Sequence, residues 1–175
     1  TLSVRWDDLQ KKKSDVVGKL REGLAAHLKK LGVAVLRGEA RFKNAHEVFV
    51  NGHEVAFDAA VVATGSAPFF PEPFPAFRDG ILDSDRALSL PRVPKSLLVV
   101  GGGAVGCEFA CLFQELGSRV TLLEKTEDLL PGEDPAVVRV LRTAYEKRGM
   151  RVLTGATVEM LSHVSASWSA RLSTG

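Results

Sequence analysis

Residues 96–124, SLLVVGGGAVGCEFACLFQELGSRVTLLE, constrain the fold more tightly than any other stretch of the chain. The apolar run Leu97–Val100 is too short for a free-standing helix and predicts a buried, central parallel strand. It breaks at Gly101, Gly102 and Gly103, and Gly106 completes the spacing G-x-G-x-x-G. Val105, Phe109, Leu112, Phe113 and Leu116 then fall at helical intervals, and Gly117 supplies a stop. Val120–Leu123 predicts a second strand, and that strand ends on an acid, Glu124. Glycines permit the tight turn, let a pyrophosphate touch bare backbone, and let helix pack closely on strand. Free amides and the positive end of the helix dipole hold phosphates at such a place. Glu124 stands 18 positions beyond Gly106, where an acid takes the ribose hydroxyls of an adenosine. A strand-to-helix turn without a ligand explains the glycines but not the acid. Dinucleotide binding is the expectation.

The length of 175 residues allows one ordinary domain or parts of two. A composition 45% hydrophobic and 25% charged is that of a soluble globular protein. The net charge of +2 offers no basis for attraction to nucleic acid or to a membrane. No apolar run reaches the length of a bilayer span and no signal-peptide pattern opens the chain, so the cytoplasm is the expected location (the mitochondrial matrix in a eukaryote). Cys107 and Cys111 sit four apart on the predicted helix, a geometry that does not aim two sulfurs into a relaxed disulfide. His27, His46, His53 and His163 show no metal-ligand spacing. The cysteines read as packing residues and no metal site is expected.

Upstream, Trp6, Leu9, Val16, Val17, Leu20, Leu24, Leu28 and Leu31 make a helical stripe that stops at Gly32. Lys11-Lys12-Lys13 lies mostly off that stripe and reads as a solvated face. Such a stripe must be buried against something, and little sequence before it could receive it. Val33–Phe42 is strand-like, and His46–Val50 and Glu54–Phe57 flank the hairpin signal Asn51-Gly52. Ala59–Ala63 is another apolar strand candidate, running into Thr64-Gly65-Ser66. Residues 67–77 carry four prolines and four phenylalanines, an irregular crossing between two units. Asp83 or Ser84 can cap a short helix through Leu88. Pro135 sits just inside a further helix that ends at Gly149, and Arg151–Leu153 gives a third strand. This is a β-α-β-α-β unit, half of a doubly wound sheet. Thr157–Leu161 and Trp168–Ser173 then read as two antiparallel strands on one side of that sheet.

Three strings in order carry a family resemblance: VVATGSAP, GGGAVGCEFA and LLEKTEDLLPGED, with the proline-rich crossing between the first two. From about Leu9 to Gly175 the chain resembles the middle of a class I pyridine-nucleotide disulfide oxidoreductase, most closely the dihydrolipoamide dehydrogenase branch. The resemblance implies a Rossmann-like α/β fold, with an antiparallel β-meander and two partial nucleotide-binding domains. Residues 1–90 would be the closing part of the first FAD-binding segment, and residues 91–175 an NAD-binding domain incomplete at its C-terminal end. It also implies a flavoenzyme that passes electrons between a dithiol or disulfide, FAD and a nicotinamide nucleotide, and a homodimer for the intact enzyme. Carried over by position, Thr64, Gly65 and Ser66 would lie along the FAD, and Ala40 would meet its adenine side. Gly101, Gly102, Gly103, Ala104, Val105 and Gly106 would wrap the NAD pyrophosphate, with Cys107 next to them among the cofactor-binding residues. Glu108 would lie near the nicotinamide, Glu124 would take the adenosine ribose, and Val158 would flank the adenine.

Departures from the family pattern bound the expectation. The redox C-x-x-x-x-C, the glycine fingerprint for FAD and the catalytic His-Glu pair do not occur in these 175 residues. Cys107 and Cys111 form C-x-x-x-C inside the NAD helix and cannot replace the redox pair. Ala104 is small where some relatives carry a larger residue near the flavin. The chain by itself is therefore expected to be inactive, with part of its apolar stripe uncovered and marginal solubility. The other readings are mercuric reductase or another class I flavoprotein reductase and, in a different class, a non-catalytic NAD-binding module. The charges after the second strand, Glu124, Lys125, Glu127 and Asp128, predict NAD over NADP.

Overall fold

The computed structural model describes residues 5–165 and 167–174. Its contacts divide the chain into two compact units, one of Asp7–Ala67 and one from Pro68 onward together with Trp6.

In the first unit, α1 (Trp6–Lys30) carries the predicted stripe, and the left-handed Gly32 ends it at φ +71°. None of its residues is buried, and Leu20 and Leu24 are 69% and 60% exposed. Three strands follow as an antiparallel meander: β1 (Ala40–Asn44), β2 (Glu47–Val50) and β3 (His53–Ala56). The β2–β3 turn is the expected one, with Asn51 and Gly52 both at positive φ (47° and 88°). Two strand expectations fail here. Residues 33–39 are not a strand, because Gly38 turns the chain at φ +153° and the ladder begins only at Ala40. Ala59–Ala63 has no ladder partner among the described residues and is not a strand, and Val61 stands 95% exposed. An apolar segment becomes a strand only where a neighbour accepts its backbone hydrogen bonds.

In the second unit, the crossing contains a single turn of 3-10 helix at Phe74–Phe77. It leads to α2 (Ser84–Ala87), where Asp83 Oδ1 accepts from the Arg86 amide at 2.8 Å, the capping the sequence predicts. The Arg86 guanidinium donates to the carbonyls of Arg78, Asp79 and Ile81 at 2.7–2.8 Å, which ties the crossing to α2.

Beyond it β4 (Ser96–Val100), β5 (Arg119–Leu123) and β6 (Arg151–Leu153) form a parallel sheet in that order. They are linked by α3 (Ala104–Glu115) and α4 (Pro135–Lys147). The strand at 97–100 is parallel as expected but not central, because both crossovers progress in one direction and place β5 in the middle. Phe113 and Leu122 are fully buried between helix and sheet, packed with Cys107, Ala110, Leu129, Val138, Tyr145 and Met150. Trp6 joins this unit through its indole N–H, which donates to the Leu90 carbonyl at 2.8 Å. The last two strands, β7 (Ala156–Val164) and β8 (Ser167–Thr174), pair antiparallel and are longer than the sequence indicated. They form a sheet of their own, packed around Leu123, Ala156, Val158 and Leu161.

Among the described residues, no helix is long and apolar enough to cross a membrane. No group of three or more potential metal ligands gathers among them either.

Candidate functional site

The glycines after β4 have distinct structural reasons. Gly101 has φ +109°, a conformation closed to side chains, and its amide continues the ladder by donating to Leu123 O at 2.8 Å. A Cβ on Gly106 would collide with the Gly101 carbonyl oxygen, so the helix can lie this close to the strand only with glycine there. Gly103 differs, for a Cβ on it would meet nothing within 4 Å. It is the N-cap of α3 and offers no side-chain cap, whereas α2 and α4 are capped by Asp83 and Asp134. The first-turn amides of α3 are thus left to an outside acceptor, beside a surface kept bare by Gly103. An anionic pyrophosphate fits this cradle.

Glu124 lies one residue past the β5 ladder. Parallel registry sets Val100 against Leu123 and Leu123 against Leu153, so the strand ends line up and the glycine turn faces the acid. Backbone bonds hold Glu124 on both sides, from its amide to Leu153 O at 2.8 Å and from the Ala156 amide to its own carbonyl at 3.1 Å. Its side chain is largely buried, with the residue 7% exposed. Oε2 accepts from the Gly102 amide at 2.5 Å, and Oε1 accepts from the Thr126 amide at 2.8 Å. Thr126 Oγ1 lies 2.9 Å from the same Oε1. Burial pushes this carboxyl upward, but the donors from Thr126, Gly102 and Lys125 outweigh it and hold the acid below its ordinary value. Glu124 is therefore ionised at neutral pH.

The loop beyond β5 clasps the glycine turn in return. The Leu130 amide donates to Gly102 O at 2.8 Å, and the Cys107 thiol reaches the same oxygen at 3.3 Å. A Cβ on Gly102 would stand 2.7 Å from Leu129 Cδ2 and 2.9 Å from Glu124 Cβ. From α4, the buried Tyr145 hydroxyl donates to the Cys107 carbonyl at 2.9 Å. Burial is the main cause that pushes the Tyr145 phenol up to about 12, and burial with nearby Glu124 raises the Cys107 thiol as well. Cys107 and Cys111 are free thiols, Cys107 buried within the core.

The sequence-derived site residues are placed as follows. Gly101, Gly102, Gly103, Ala104, Val105, Gly106, Cys107 and Glu124 come together around the turn, with Ala104, Val105 and Glu108 exposed on α3. Val158 is 8% exposed and packs in the cluster that contains Leu123, next to the strand end carrying Glu124. Ala40 opens β1, and Thr64, Gly65 and Ser66 form an exposed irregular segment in which Gly65 turns the chain at φ +76°, all in the first unit. Sequence reasoning missed Thr126, Leu129 and Leu130. A threonine two residues past an acid is a local hydrogen-bonding pattern that could have revealed the first.

The sequence pattern of the family described as Pyridine nucleotide-disulphide oxidoreductase matches residues 3–173. The chain belongs to that family. Within it, the chain is 40% identical over 159 residues to the dihydrolipoyl dehydrogenase of Bacillus subtilis, covering 87% of this chain and 34% of that protein. It is 45% identical over 141 residues to the dihydrolipoyl dehydrogenase of Thermus scotoductus, covering 80% and 30%. Among solved structures of the same type, the HOCl-induced flavoprotein disulfide reductase RclA of Escherichia coli, as its Cu(II) complex, superposes with a TM-score of 0.85. That match is 29% identical in sequence and covers 96% of this chain and 39% of RclA. LpdA of Mycobacterium tuberculosis shares the fold at a TM-score of 0.80 and 22% identity. The chain spans about a third of the length of the curated family members it matches.

Proposed function

We propose that this chain supplies the nicotinamide-nucleotide site of a flavoprotein of the dihydrolipoyl dehydrogenase type, with NAD(H) rather than NADP(H) as its nucleotide. The observation that carries the reading is the Glu124 carboxylate, ionised and held against the Gly102 amide, beside the uncapped start of α3. Gly103 and the α3 amides hold the pyrophosphate, Glu124 takes the adenosine ribose, Val158 lies toward the adenine, and Glu108 toward the nicotinamide.

Residues 1–90, with Ala40 and Thr64-Gly65-Ser66, belong to the FAD-binding segment in this reading, and residues 91–175 to the NAD-binding domain. FAD, when bound, relays electrons between a dithiol or disulfide and the nicotinamide. The whole enzyme acts in the cytoplasm (the matrix in a eukaryote) as a homodimer.

Charge decides the nucleotide. Two unit charges about 4 Å apart at a protein surface interact by about 4 kcal/mol. A 2′-phosphate carries nearly two negative charges, and the loop that begins at Glu124 sets Glu124, Glu127 and Asp128 against Lys125 alone. Arg142 of α4 lies 3.7 Å from Asp128 and offsets one of these acids, which leaves the group net negative. After screening, a penalty on the order of 3 kcal/mol remains, roughly a hundredfold in affinity. NADH and NADPH titrated at one ionic strength test this. NADH binds tighter in the wild type, and Glu124→Ala narrows the gap mainly by weakening NADH. Equal affinities, or a preference for NADPH, would remove Glu124 from the ribose site.

A further inference from the structure

The hydroxyl of Thr126 has one hydrogen and two acceptors within reach: Glu124 Oε1 at 2.9 Å and the Asp128 carbonyl at 2.8 Å. It can donate to only one of them. Glu124 Oε1 already accepts from the Thr126 amide at 2.8 Å, so a second donor from the hydroxyl fills both of its acceptor positions. Oε2 is engaged by the Gly102 amide. A ribose brings two vicinal hydroxyls, and a carboxylate holds both only if each oxygen has a position to give. The two amides in hydrogen-bond geometry with Glu124 are fixed by backbone, Gly102 by the Leu130 clasp and Thr126 by its carbonyl, which accepts from the Gly155 amide at 2.8 Å; the Lys125 amide adds a weaker pull on the carboxylate. The Thr126 hydroxyl alone can yield, by a rotation about one bond.

We propose that Thr126 is a positioning residue whose hydroxyl donates to Glu124 Oε1 in the absence of nucleotide and turns to the Asp128 carbonyl when a ribose diol docks. The turn frees an acceptor position on Oε1 without leaving the hydroxyl or Glu124 unpaired in either state. The inference rests on Glu124 being the ribose acid.

The charged and titratable groups around Glu124 are Cys107 on α3, Lys125 and Asp128 in the loop, and Arg142 of α4, which pairs with Asp128. None of these is changed by substitution at 126, so a shift in Glu124 titration reports the hydroxyl. The test follows the side-chain carboxyl of Glu124 by carbon-13 NMR as the pH is lowered, with and without saturating NAD+. Wild type, Thr126→Ser, Thr126→Val and Thr126→Ala are compared.

Without NAD+, Val and Ala titrate at higher pH than wild type, because the carboxylate has lost a donor, and Ser restores the wild-type curve. With NAD+ bound, the hydroxyl faces Asp128 in every variant that has one, and the difference disappears. In binding, Val loses affinity for NAD+ at a higher pH than wild type does as the pH is lowered, because its acid protonates first. A difference that persists with NAD+, or is absent without it, overturns the proposal. Glu124→Ala separates the two readings. If it binds NAD+ as tightly as wild type, the ribose assignment falls and this inference with it. If it weakens NAD+ while the threonine variants titrate alike, only the inference falls.

Discussion

Replacing Glu124 by glutamine keeps its size and is the usual conservative exchange, yet the geometry predicts that it destabilises the fold. Both carboxylate oxygens accept from backbone amides, Oε2 from Gly102 at 2.5 Å and Oε1 from Thr126 at 2.8 Å. An amide has one oxygen. With its nitrogen toward Gly102, two N–H donors confront each other at that short distance. With its nitrogen toward Thr126, the hydroxyl can turn to accept, but the Thr126 amide loses its partner. The better orientation therefore forfeits one charge-assisted hydrogen bond, worth about 1.5–3 kcal/mol. Relief of a buried charge offsets part of this, which leaves a loss of about 1–2 kcal/mol at pH 7, or roughly 2–8 °C in Tm for a chain of this size.

The pH dependence separates this cause from a general packing defect. The folded carboxyl titrates below its ordinary value of 4.5, so its contribution is complete above that pH. It is lost as the pH falls through the folded value. The wild type therefore weakens in acid through this group and Glu124→Gln does not, so the gap between them closes. Urea denaturation followed by circular dichroism at pH 7 and at a pH well below 4.5 measures both. A glutamine variant as stable as wild type at pH 7, or a gap that is the same at both pH values, would refute the account.

Three further substitutions test the glycine turn and its support. Gly103→Ala adds a Cβ into open space at φ −72°. It should leave stability within about 0.5 kcal/mol and weaken NADH tenfold or more, because the methyl takes the pyrophosphate's place. Gly106→Ala drives a Cβ onto the Gly101 carbonyl and should cost about 1–3 kcal/mol of stability. Denaturation and NADH titration of the pair separate ligand clearance from helix packing. Tyr145→Phe removes the buried hydroxyl that donates to Cys107 O and should cost about 1 kcal/mol, read from the same denaturation curves.

The parts of the fold legible in the sequence are those whose partners lie close by in the chain. β4, α3, β5, α4 and β6 follow one another and pack on one another, so periodicity, glycine stops and the Pro135 start located them closely. Asn51-Gly52 likewise fixed its hairpin through local φ requirements. The apolar run at 59–63 and the residues before Ala40 resemble strands in composition, but pairing is a relation between segments and no periodicity reveals a missing neighbour. The same limit explains why β4 was expected in the sheet centre, since its residues do not disclose which side its neighbours occupy.

At the turn, Gly101, Gly106 and Glu124 were legible because a tight strand-to-helix turn facing the end of the next strand needs those residue types at that spacing. Thr126 and the Leu129–Leu130 clasp were not, since they act on Glu124 and Gly102 through side-chain and backbone geometry with no fixed spacing of its own.

One peptide unit narrows the evolutionary routes open to this site. Gly102 gives its N–H to Glu124 and takes Leu130 and the Cys107 thiol on its carbonyl, with no room for a methyl group. With Glu124 as the proposed ribose acid, a lineage drifting toward a different nucleotide would have to alter it, and that first step would strand the Gly102 amide inside the fold. Selection would meet that loss of stability before any gain in recognition. The passable path runs in the opposite order: a substitution that gives the Gly102 amide another acceptor, silent for binding, and only then the change of the acid. The acid at position 124 is thus historically sticky, held in place by folding as well as by the proposed use.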